Sequence, residues 1–126
     1  MTDFHATAQD ACRPPRRVMI EDIQRAVARQ YNVGRSDMLS FSNKARIAHP
    51  RHIAMYLARN LTIRSLPEIA RLFRRKNHTD VMYAERKIGW LIGERNKPPP
   101  RSKAADMPVD MQLAEEIEIL KRQLQE

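Results

Sequence analysis

The segment Leu66–Ile88 constrains the fold of this chain more than any other. Ser65 precedes it, and the spacing Ser65-x-x-Glu68 is that of a capping box, in which each residue satisfies a backbone N–H of the other. Pro67 then falls in the first helical turn, where its missing N–H breaks no helical hydrogen bond. A short helix is therefore predicted to begin here. Its apolar stripe consists of Ile69, Leu72 and Phe73.

A polar and basic turn leads from this helix into a longer second one. Apolar residues in the second helix recur at three- and four-residue spacing, which indicates one buried helical face. They are Val81, Ala84, Ile88, Leu91 and Ile92. Two helices joined by a tight turn, with a polar and basic leading edge on the second, are typical of a helix-turn-helix. The motif predicts an all-α fold.

Positive charge is concentrated in the middle of the chain. Residues 13–103 carry 21 of the 23 lysines and arginines but only 7 of the 15 acidic residues, a net charge of +14. Such a charge indicates a polyanion as the partner, because contacts to phosphates release condensed counterions. Seven aromatic residues in all provide too little stacking surface for a single-stranded RNA partner, so double-stranded DNA is favoured.

Composition divides the chain into four parts. These are a flexible arm over residues 1–17, the helix-turn-helix domain over 18–95, a proline-rich linker over 96–108 and an amphipathic helix over 109–126. No apolar run approaches the roughly 20 residues that span a bilayer, and the first residues lack the apolar region of a secretory signal. The single cysteine, Cys12, has no partner for an internal disulfide. Together these features predict a cytoplasmic, nucleoid-associated protein with no membrane contact.

Further helices are predicted within residues 18–95. The first begins near Val18, stops at Asn32-Val33-Gly34 and has an inner side of Ile20, Ile23, Val27 and Tyr31. Ser36 is expected to cap a short turn over residues 37–40, which contains the core residues Met38 and Leu39. A longer helix is expected to open at His49-Pro50-Arg51, with Pro50 in its first turn. Its inner face is Ile53, Ala54, Leu57, Ala58 and Leu61, and its outward residues are Arg51, His52, Met55 and Arg59.

Apolar residues of the last helix recur at spacings of four, three and four, which matches the seam of a coiled coil. These residues are Leu113, Ile117, Leu120 and Leu124. Three uses are open to this seam: packing on the domain, pairing with a second chain as a homodimer, or folding on a protein partner. Fewer than two heptads do not define a coiled coil by themselves, and self-association is the slightly favoured use.

Several separate motifs, in order over about residues 18–92, resemble the C-terminal DNA-binding domain (domain IV) of DnaA, the bacterial chromosomal replication initiator. The motifs are Asp37-Met38-Leu39-Ser40, Ile47-Ala48-x-Pro50-Arg51-x-Ile53-Ala54-Met55-Tyr56-Leu57, Leu61-Thr62, Ser65-Leu66-Pro67-Glu68-Ile69-Ala70 and His78-Thr79-x-Val81. The resemblance implies a Trp-repressor-like helix-turn-helix that binds double-stranded DNA sequence-specifically. The phosphate-binding motif Gly-x-x-x-x-Gly-Lys-Ser/Thr is absent from the sequence, so a stand-alone regulator of transcription or replication without ATPase activity is expected.

The resemblance also implies contacts residue by residue. In the family, an Asp-His-Thr-Thr segment begins the recognition helix and reads bases in the major groove. The matching base-contacting residues here are Asn77, His78, Thr79 and Asp80. Matching positions and neighbouring positive charge together predict phosphate contacts from Arg51, His52, Arg59, Pro67, Arg74, Arg75, Lys76, Arg86 and Lys87. The family's minor-groove residue corresponds to Asn43, with Lys44 beside it.

Two departures from the family fall within the recognition element itself. Asp80 replaces a threonine, and its carboxylate repels phosphate and can accept a hydrogen bond from cytosine N4 in the major groove. The same residue also suits the first turn of a helix, where an acid complements the dipole. Arg74-Arg75-Lys76 replaces a Gly-Gly-Arg turn, which adds charge but restricts the backbone. We therefore expect the family's docking mode with a changed base preference.

Other functions receive less support from the sequence. His49 and His52 are spaced to share a metal, but no third ligand is near and Arg51 between them disfavours a cation, so no metal or other cofactor is predicted. No serine, histidine and aspartate are grouped as a nucleophile, base and orienter, so the protein is not predicted to be an enzyme. The alternative function is a protein-interaction adaptor that docks on an acidic partner through the basic domain or the C-terminal helix.

Overall fold

The structure is a computed structural model that describes residues 18–97, 99 and 106–125 of the chain. The predicted arm over residues 1–17, with Cys12, and most of the predicted linker lie outside the described residues. The described part is all helical, without a strand, which confirms the predicted fold class. None of the helices described is long and apolar enough to cross a membrane.

Helices are numbered here in chain order. They are α1 (Ile20–Gln30), α2 (Arg35–Met38), α3 (Ala45–Leu61), α4 (Leu66–Leu72), α5 (Thr79–Leu91) and α6 (Met111–Gln125). Helix α3 is central, because α1, α2, α4, α5 and α6 all pack against it. Helices α4 and α5 form the helix-turn-helix, and α5 has the most extensive contact with α3. The position of α5 is therefore set mainly by α3.

The start of α4 follows the prediction. The Ser65 hydroxyl accepts the N–H of Glu68 at 3.3 Å, and the Glu68 carboxylate accepts the N–H of Ser65 at 3.2 Å. Ile69 and Phe73 are fully buried, as expected, but Leu72 is 45% exposed, so its assignment to the apolar stripe was wrong. The reason is that Leu72 is the last residue of α4 and lies about 100° around the helix axis from Phe73, away from the buried face.

Three helices end in the same way, with a residue of positive φ just after the C-cap. These residues are Asn32 (φ 55°), Arg74 (φ 58°) and Gly93 (φ 83°). At each end the following N–H donates to a carbonyl in the last helical turn: Val33 to Ala28 at 3.0 Å, Arg75 to Ala70 at 2.8 Å and Glu94 to Gly89 at 2.8 Å. This is the Schellman motif. The left-handed position of this motif suits glycine without steric cost, whereas any residue with a side chain adopts it at a cost. Arg74 therefore carries backbone strain in the turn of the helix-turn-helix.

Helix α3 begins at Ala45, ahead of Pro50, so the prediction that it opens at Pro50 was wrong. Pro50 lies inside the helix, where its missing N–H leaves one carbonyl of the preceding turn without a helical donor. The preceding turn still forms because the carbonyl of Lys44 accepts the N–H groups of both Ile47 and Ala48, at 2.9 and 2.7 Å. The side chain of Ile47 is also buried, which stabilises this turn by packing.

Two of the side chains predicted to face outward from α3 are buried instead. Met55 is 1% exposed and Arg51 is 2% exposed, so their outward placement was wrong. The cause is the central position of α3: five helices surround it, and they cover more of its circumference than the single inner face that an amphipathic pattern describes. His52 is half-buried for the same reason, and Arg59 is exposed as predicted.

The short helix α2 also differs in detail from the prediction. It spans Arg35–Met38, with Gly34 as its N-cap residue, so Ser36 lies within the helix and does not cap it. The predicted helical turn over residues 37–40 is therefore displaced towards the N-terminus. Met38 and Leu39 are buried in the core, as expected.

Helix α6 packs on α1 and α3. The seam residues Leu113, Ile117 and Leu120 are buried in the common core, and Leu124 packs against it. Polar contacts support the same position: the Tyr31 hydroxyl donates to Glu116 at 2.6 Å, and the Lys121 ammonium lies 5.5 Å from the Tyr56 ring centroid. Since the seam is used inside the chain, the preference for self-association through it was wrong. The domain boundary at residue 95 stays a prediction.

Replacing Ile117 with alanine should lower the free energy of unfolding by about 2–5 kcal/mol, because the substitution leaves a cavity in the core. Chemical denaturation followed by far-UV circular dichroism measures this change. The matched control is Ile119→Ala on the same helix, since Ile119 is 44% exposed and its loss should cost less than about 0.5 kcal/mol. An equally small effect of both substitutions would contradict the packing of α6 on the domain.

Candidate nucleic-acid interface

The leading edge of α5 consists of the exposed residues Lys76–Asp80, which we call the reading edge. Asn77 organises it: its side-chain oxygen accepts the N–H of Thr79 at 3.0 Å and also accepts the Thr79 hydroxyl. His78 occupies the N-cap position without a side-chain capping bond, so its imidazole is not used to close the helix. All the residues predicted to contact bases thus lie together on one exposed edge.

A cleft of about 660 Å³ lies between α4 and the reading edge. It is lined by Pro67, Ala70, Arg71, Arg74, Arg75, Lys76, Asn77 and His78. Four of these residues are lysine or arginine, and three of the four were predicted from the sequence to contact phosphate. Arg71 was missed, although its position three and four residues before Arg74 and Arg75 indicated that it lies near them.

The charges that line this cleft are not neutralised by salt bridges within the described residues. The ion pairs found there join Arg25 to Glu21, Arg64 to Glu68 (3.1 Å) and Arg95 to Glu85 (3.0 Å). None of these pairs involves Arg71, Arg74 or Lys76, which are all exposed. The cleft therefore presents uncompensated positive charge, which attracts a polyanion.

Arg51, which was predicted to contact phosphate, lies inside the protein. Its Nε donates to the carbonyl of Met38 at 2.8 Å, and its Nη2 donates to the carbonyls of Ser40 and Ser42 at 2.9 and 2.8 Å. Burial, together with the positive charge of Arg75, lowers the pKa of Arg51, while the carboxylate of Asp80 acts in the opposite direction. The guanidinium thus fixes the loop between α2 and α3, and it is not on the surface.

Arg75 reaches the same loop from the other side. Its guanidinium donates to the carbonyls of Ser40 and Phe73, and it lies 5.4 Å from the centre of the Phe41 ring. We call residues Ser40–Ser42 the clamped loop, because Arg51 of α3 and Arg75 of the turn both hold it. Sequence reasoning did not single out Phe41. The available signal was a lone aromatic residue within a polar run, Ser-Phe-Ser-Asn-Lys.

His52 and Lys87, both predicted to contact phosphate, are half-buried and meet each other. Lys87 Nζ lies 3.1 Å from His52 Nδ1, and the imidazole packs edge-on against Tyr83 with ring centroids 5.5 Å apart. Burial and the positive charge of Lys87 lower the pKa of His52 to about 3, so the imidazole is neutral at pH 7. Burial also lowers the pKa of Lys87. This pair connects α3 to α5.

The other predicted contact residues are distributed around the domain. Asn43 and Lys44 are exposed directly before α3, and Arg59 is exposed near its C-terminal end. Arg86 is half-buried on α5. None of these side chains lines the cleft, whereas Pro67, also a predicted phosphate neighbour, does. The structure therefore gathers only part of the predicted set around the reading edge.

Comparison with known proteins gives one consistent result. A family model described as "Bacterial dnaA protein helix-turn-helix" matches residues 20–88. The chain is 51% identical over 120 residues to the chromosomal replication initiator protein DnaA of Nitrobacter hamburgensis, and 50% identical to those of Rhodopseudomonas palustris (strain BisB18) and Bradyrhizobium sp. (strain ORS 278). Each match covers 94% of this chain but only 22% of the relative. The chain thus spans about a fifth of the length of these curated relatives.

The strain at Arg74 predicts a stabilising substitution. Arg74→Gly should raise the free energy of unfolding by about 0.5–1 kcal/mol, because relief of the left-handed conformation outweighs the added freedom of the unfolded chain. Thermal and urea denaturation measure the change. Arg71→Gly is the matched control, since this arginine lies inside α4, where glycine should destabilise by about 1 kcal/mol. A loss of stability in both variants would contradict the account of the turn.

The buried imidazole of His52 predicts that acid destabilises the fold. The pKa of this group is about 3 in the folded protein and about 6.5 in an unfolded chain, so only the unfolded state takes up its proton between these values. Stability is therefore lost as the pH falls below 6.5. His52 should account for about 2 kcal/mol of the loss between pH 7 and pH 5.

Urea denaturation of the His52→Gln variant at both pH values measures this contribution. The variant should show a correspondingly smaller difference in unfolding free energy between pH 7 and pH 5 than the unmodified chain. His78→Gln, at an exposed position, is the matched control and should retain the acid sensitivity of the unmodified chain. The same acid sensitivity in the His52→Gln variant would refute the assignment.

Proposed function

The chain belongs to the bacterial DnaA helix-turn-helix family, and from this premise we propose that it binds double-stranded DNA sequence-specifically, as a regulator of replication or transcription. The observation that carries the proposal is the reading edge, Lys76–Asp80, which is exposed beside a cleft lined by four cationic residues. Helix-turn-helix proteins place this part of the second helix in the major groove. The relatives named above are replication initiators, which supports DNA as the ligand.

The proposed complex separates base contacts from phosphate contacts. Asn77, His78 and Thr79 face base edges: the NH2 group of Asn77 can donate to adenine N7 while its oxygen stays bonded to Thr79, and the Thr79 methyl can pack on a thymine methyl. Phosphates are bound by Lys76 and by the arginines of the cleft and the flanks of the domain. These arginines are Arg59, Arg71, Arg74, Arg75 and Arg86. Lys44 and Asn43 are assigned to the neighbouring minor groove.

Three residues predicted to contact phosphate receive a supporting role in this proposal. Arg51 is buried and holds the clamped loop, so it positions the interface without contacting DNA. His52 is neutral at pH 7 and bonded to Lys87, so this pair fixes α5 against α3. Both supports act on the position of the reading edge. Arg51 shares the carbonyl of Ser40 with Arg75, which lies in the turn before α5, and the His52–Lys87 pair connects to α5 itself.

Asp80 is the residue that most changes the proposed base preference. Its carboxylate is exposed in the first turn of α5, where it complements the helix dipole and lies close enough to raise the pKa of Arg51. In the major groove it can accept a hydrogen bond from cytosine N4 and disfavours bases that present only acceptors. We propose that the preferred site therefore differs from that of relatives with threonine at this position.

The proposal includes DNA binding and no catalytic step. The 126 residues contain no Gly-x-x-x-x-Gly-Lys-Ser/Thr motif, which is the segment that binds nucleotide phosphates in P-loop ATPases. The alternative, an adaptor that uses the C-terminal helix, receives less support because Leu113, Ile117 and Leu120 are already buried against the domain. A protein with the proposed function would act in the bacterial cytoplasm, on the nucleoid.

Substitutions at the reading edge and in the cleft should have different effects on binding. Thr79→Ala should cost about 1–3 kcal/mol on the best duplex and relax the preference at one position, because it removes a base contact. Lys76→Ala should weaken binding to all duplexes alike, because it removes a phosphate contact. It should also reduce by about 1 the slope of log affinity against log salt concentration, which we call the salt slope. Fluorescence anisotropy with labelled duplexes, measured over a range of salt concentrations, gives both quantities.

The control for this experiment is Arg122→Ala, which removes an exposed cation on α6, a helix outside the proposed interface. It should leave affinity, preference and salt slope unchanged. The proposal of sequence-specific binding fails if the unmodified protein binds no duplex more tightly than competitor DNA. The assignment of residues fails if Thr79→Ala and Lys76→Ala reduce binding to all sequences by the same factor.

A further inference from the structure

Phe41 is a large apolar side chain that the fold does not bury. It is 74% exposed at the centre of the clamped loop, between Ser40 and Ser42. Scattered apolar side chains are normal on a protein surface, and exposure alone indicates nothing. Two further features distinguish Phe41: the backbone that carries it is fixed, and the surface around it is positively charged.

The backbone on both sides of Phe41 is held by buried or half-buried arginines. Arg51 donates to the carbonyls of Ser40 and Ser42, and Arg75 donates to the carbonyl of Ser40. A buried guanidinium that lost these acceptors would leave charged donors unsatisfied at a considerable cost. The loop is therefore held in one position, and the ring of Phe41 is presented outward from a rigid support.

The position of the ring relates it directly to the proposed DNA interface. The guanidinium of Arg75 lies 5.4 Å from the ring centre, and Arg75 also lines the cleft beside the reading edge. Asn43 and Lys44, which follow the clamped loop in sequence, are exposed. Phe41 is thus an exposed apolar residue whose neighbours in space and in sequence are polar or cationic, and such neighbours favour a polyanion over an apolar protein partner.

We propose that Phe41 contacts double-stranded DNA directly, by packing its ring against deoxyribose and base edges in the minor groove next to the major groove that α5 enters. The inference rests on the proposed function and adds to it a contact of a different chemical kind. With the second helix in the major groove, a loop beside its leading edge meets the phosphate backbone and the adjacent groove. Apolar side chains in that groove pack on sugars or wedge between base steps.

An apolar contact has an energetic signature that separates it from the cationic contacts around it. Removing the ring of Phe41 loses buried apolar area, so the affinity for DNA falls. The number of counterions released on binding stays the same, and the salt slope is therefore unchanged. Removing a cation such as Lys76 changes the slope. Duplex binding by the full chain, measured at several salt concentrations, distinguishes the two cases.

The test compares two variants of Phe41 and one control variant with the unmodified chain. Phe41→Ala should weaken binding to the best duplex about tenfold with an unchanged salt slope. Phe41→Leu, which keeps apolar bulk but removes the π face that Arg75 contacts, should lose less than about threefold. Ile119→Ala, at an exposed apolar position on α6, is the matched control and should bind as the unmodified chain does.

A second measurement locates the contact on the DNA. Hydroxyl radicals cleave at deoxyribose positions exposed in the minor groove, so the unmodified chain should protect a short stretch of sugars beside the recognised bases. The Phe41→Ala complex, formed at saturating protein, should lose that protection and keep the remainder of the footprint. Because Phe41 is exposed, thermal denaturation of the variant should match that of the unmodified chain, which shows that the fold is intact.

Three results would overturn the inference. Equal affinity and an equal footprint for Phe41→Ala would show that the ring does not touch DNA. Equal losses in the alanine and leucine variants, with a smaller salt slope in both, would show that Phe41 acts only by positioning Arg75. Failure of the unmodified chain to bind any duplex selectively would overturn the proposed function together with this inference, and that result is seen before any variant is compared.

Discussion

The hydrogen bonds of the buried Arg51 guanidinium are the interactions on which the positions of the clamped loop and the reading edge depend. Arg51 lies on the central helix α3 and donates to three backbone carbonyls of the segment Met38–Ser42. Charged donors that are removed from water must be satisfied, so this segment is obliged to follow α3. Arg75 extends the same connection to the turn of the helix-turn-helix through the carbonyl of Ser40. The loop before α3 and the turn before α5 are consequently positioned together.

The turn itself shows a conflict between stability and charge. Helices α1, α4 and α5 all end in Schellman motifs, with asparagine, arginine and glycine respectively in the left-handed position. Only glycine fits that position without steric cost, so Arg74 places an exposed positive charge in the cleft at the expense of local strain. Strain of this kind persists where the surroundings fix the backbone, and it is concentrated at functional sites. The Schellman bonds to Ala70 and Arg71 provide that fixation here.

Local rules in the sequence predicted the helix-turn-helix well, because its signals lie within a few residues. The capping box at Ser65 and the spacing of Val81, Ala84 and Ile88 were sufficient to place α4 and the buried face of α5. The burial of Arg51 was not predictable in this way, because an amphipathic pattern places every charged residue outside. Its acceptors come from a loop whose proximity only the tertiary structure establishes. A heptad seam is likewise compatible both with packing on the domain and with packing on a second chain. In the structure the seam of α6 packs on the domain.

The central claim is that residues 77–80, supported by Arg51 and Arg75, read base edges in the major groove. Selection of bound duplexes from a random DNA pool, at a salt concentration where non-specific binding is weak, tests this claim most directly. The unmodified chain is expected to enrich one discrete motif, and Asp80→Thr is expected to change the preferred base at one position within it. A pool that stays random, or a motif that is the same after substitution of Asn77, Thr79 and Asp80, would contradict the account.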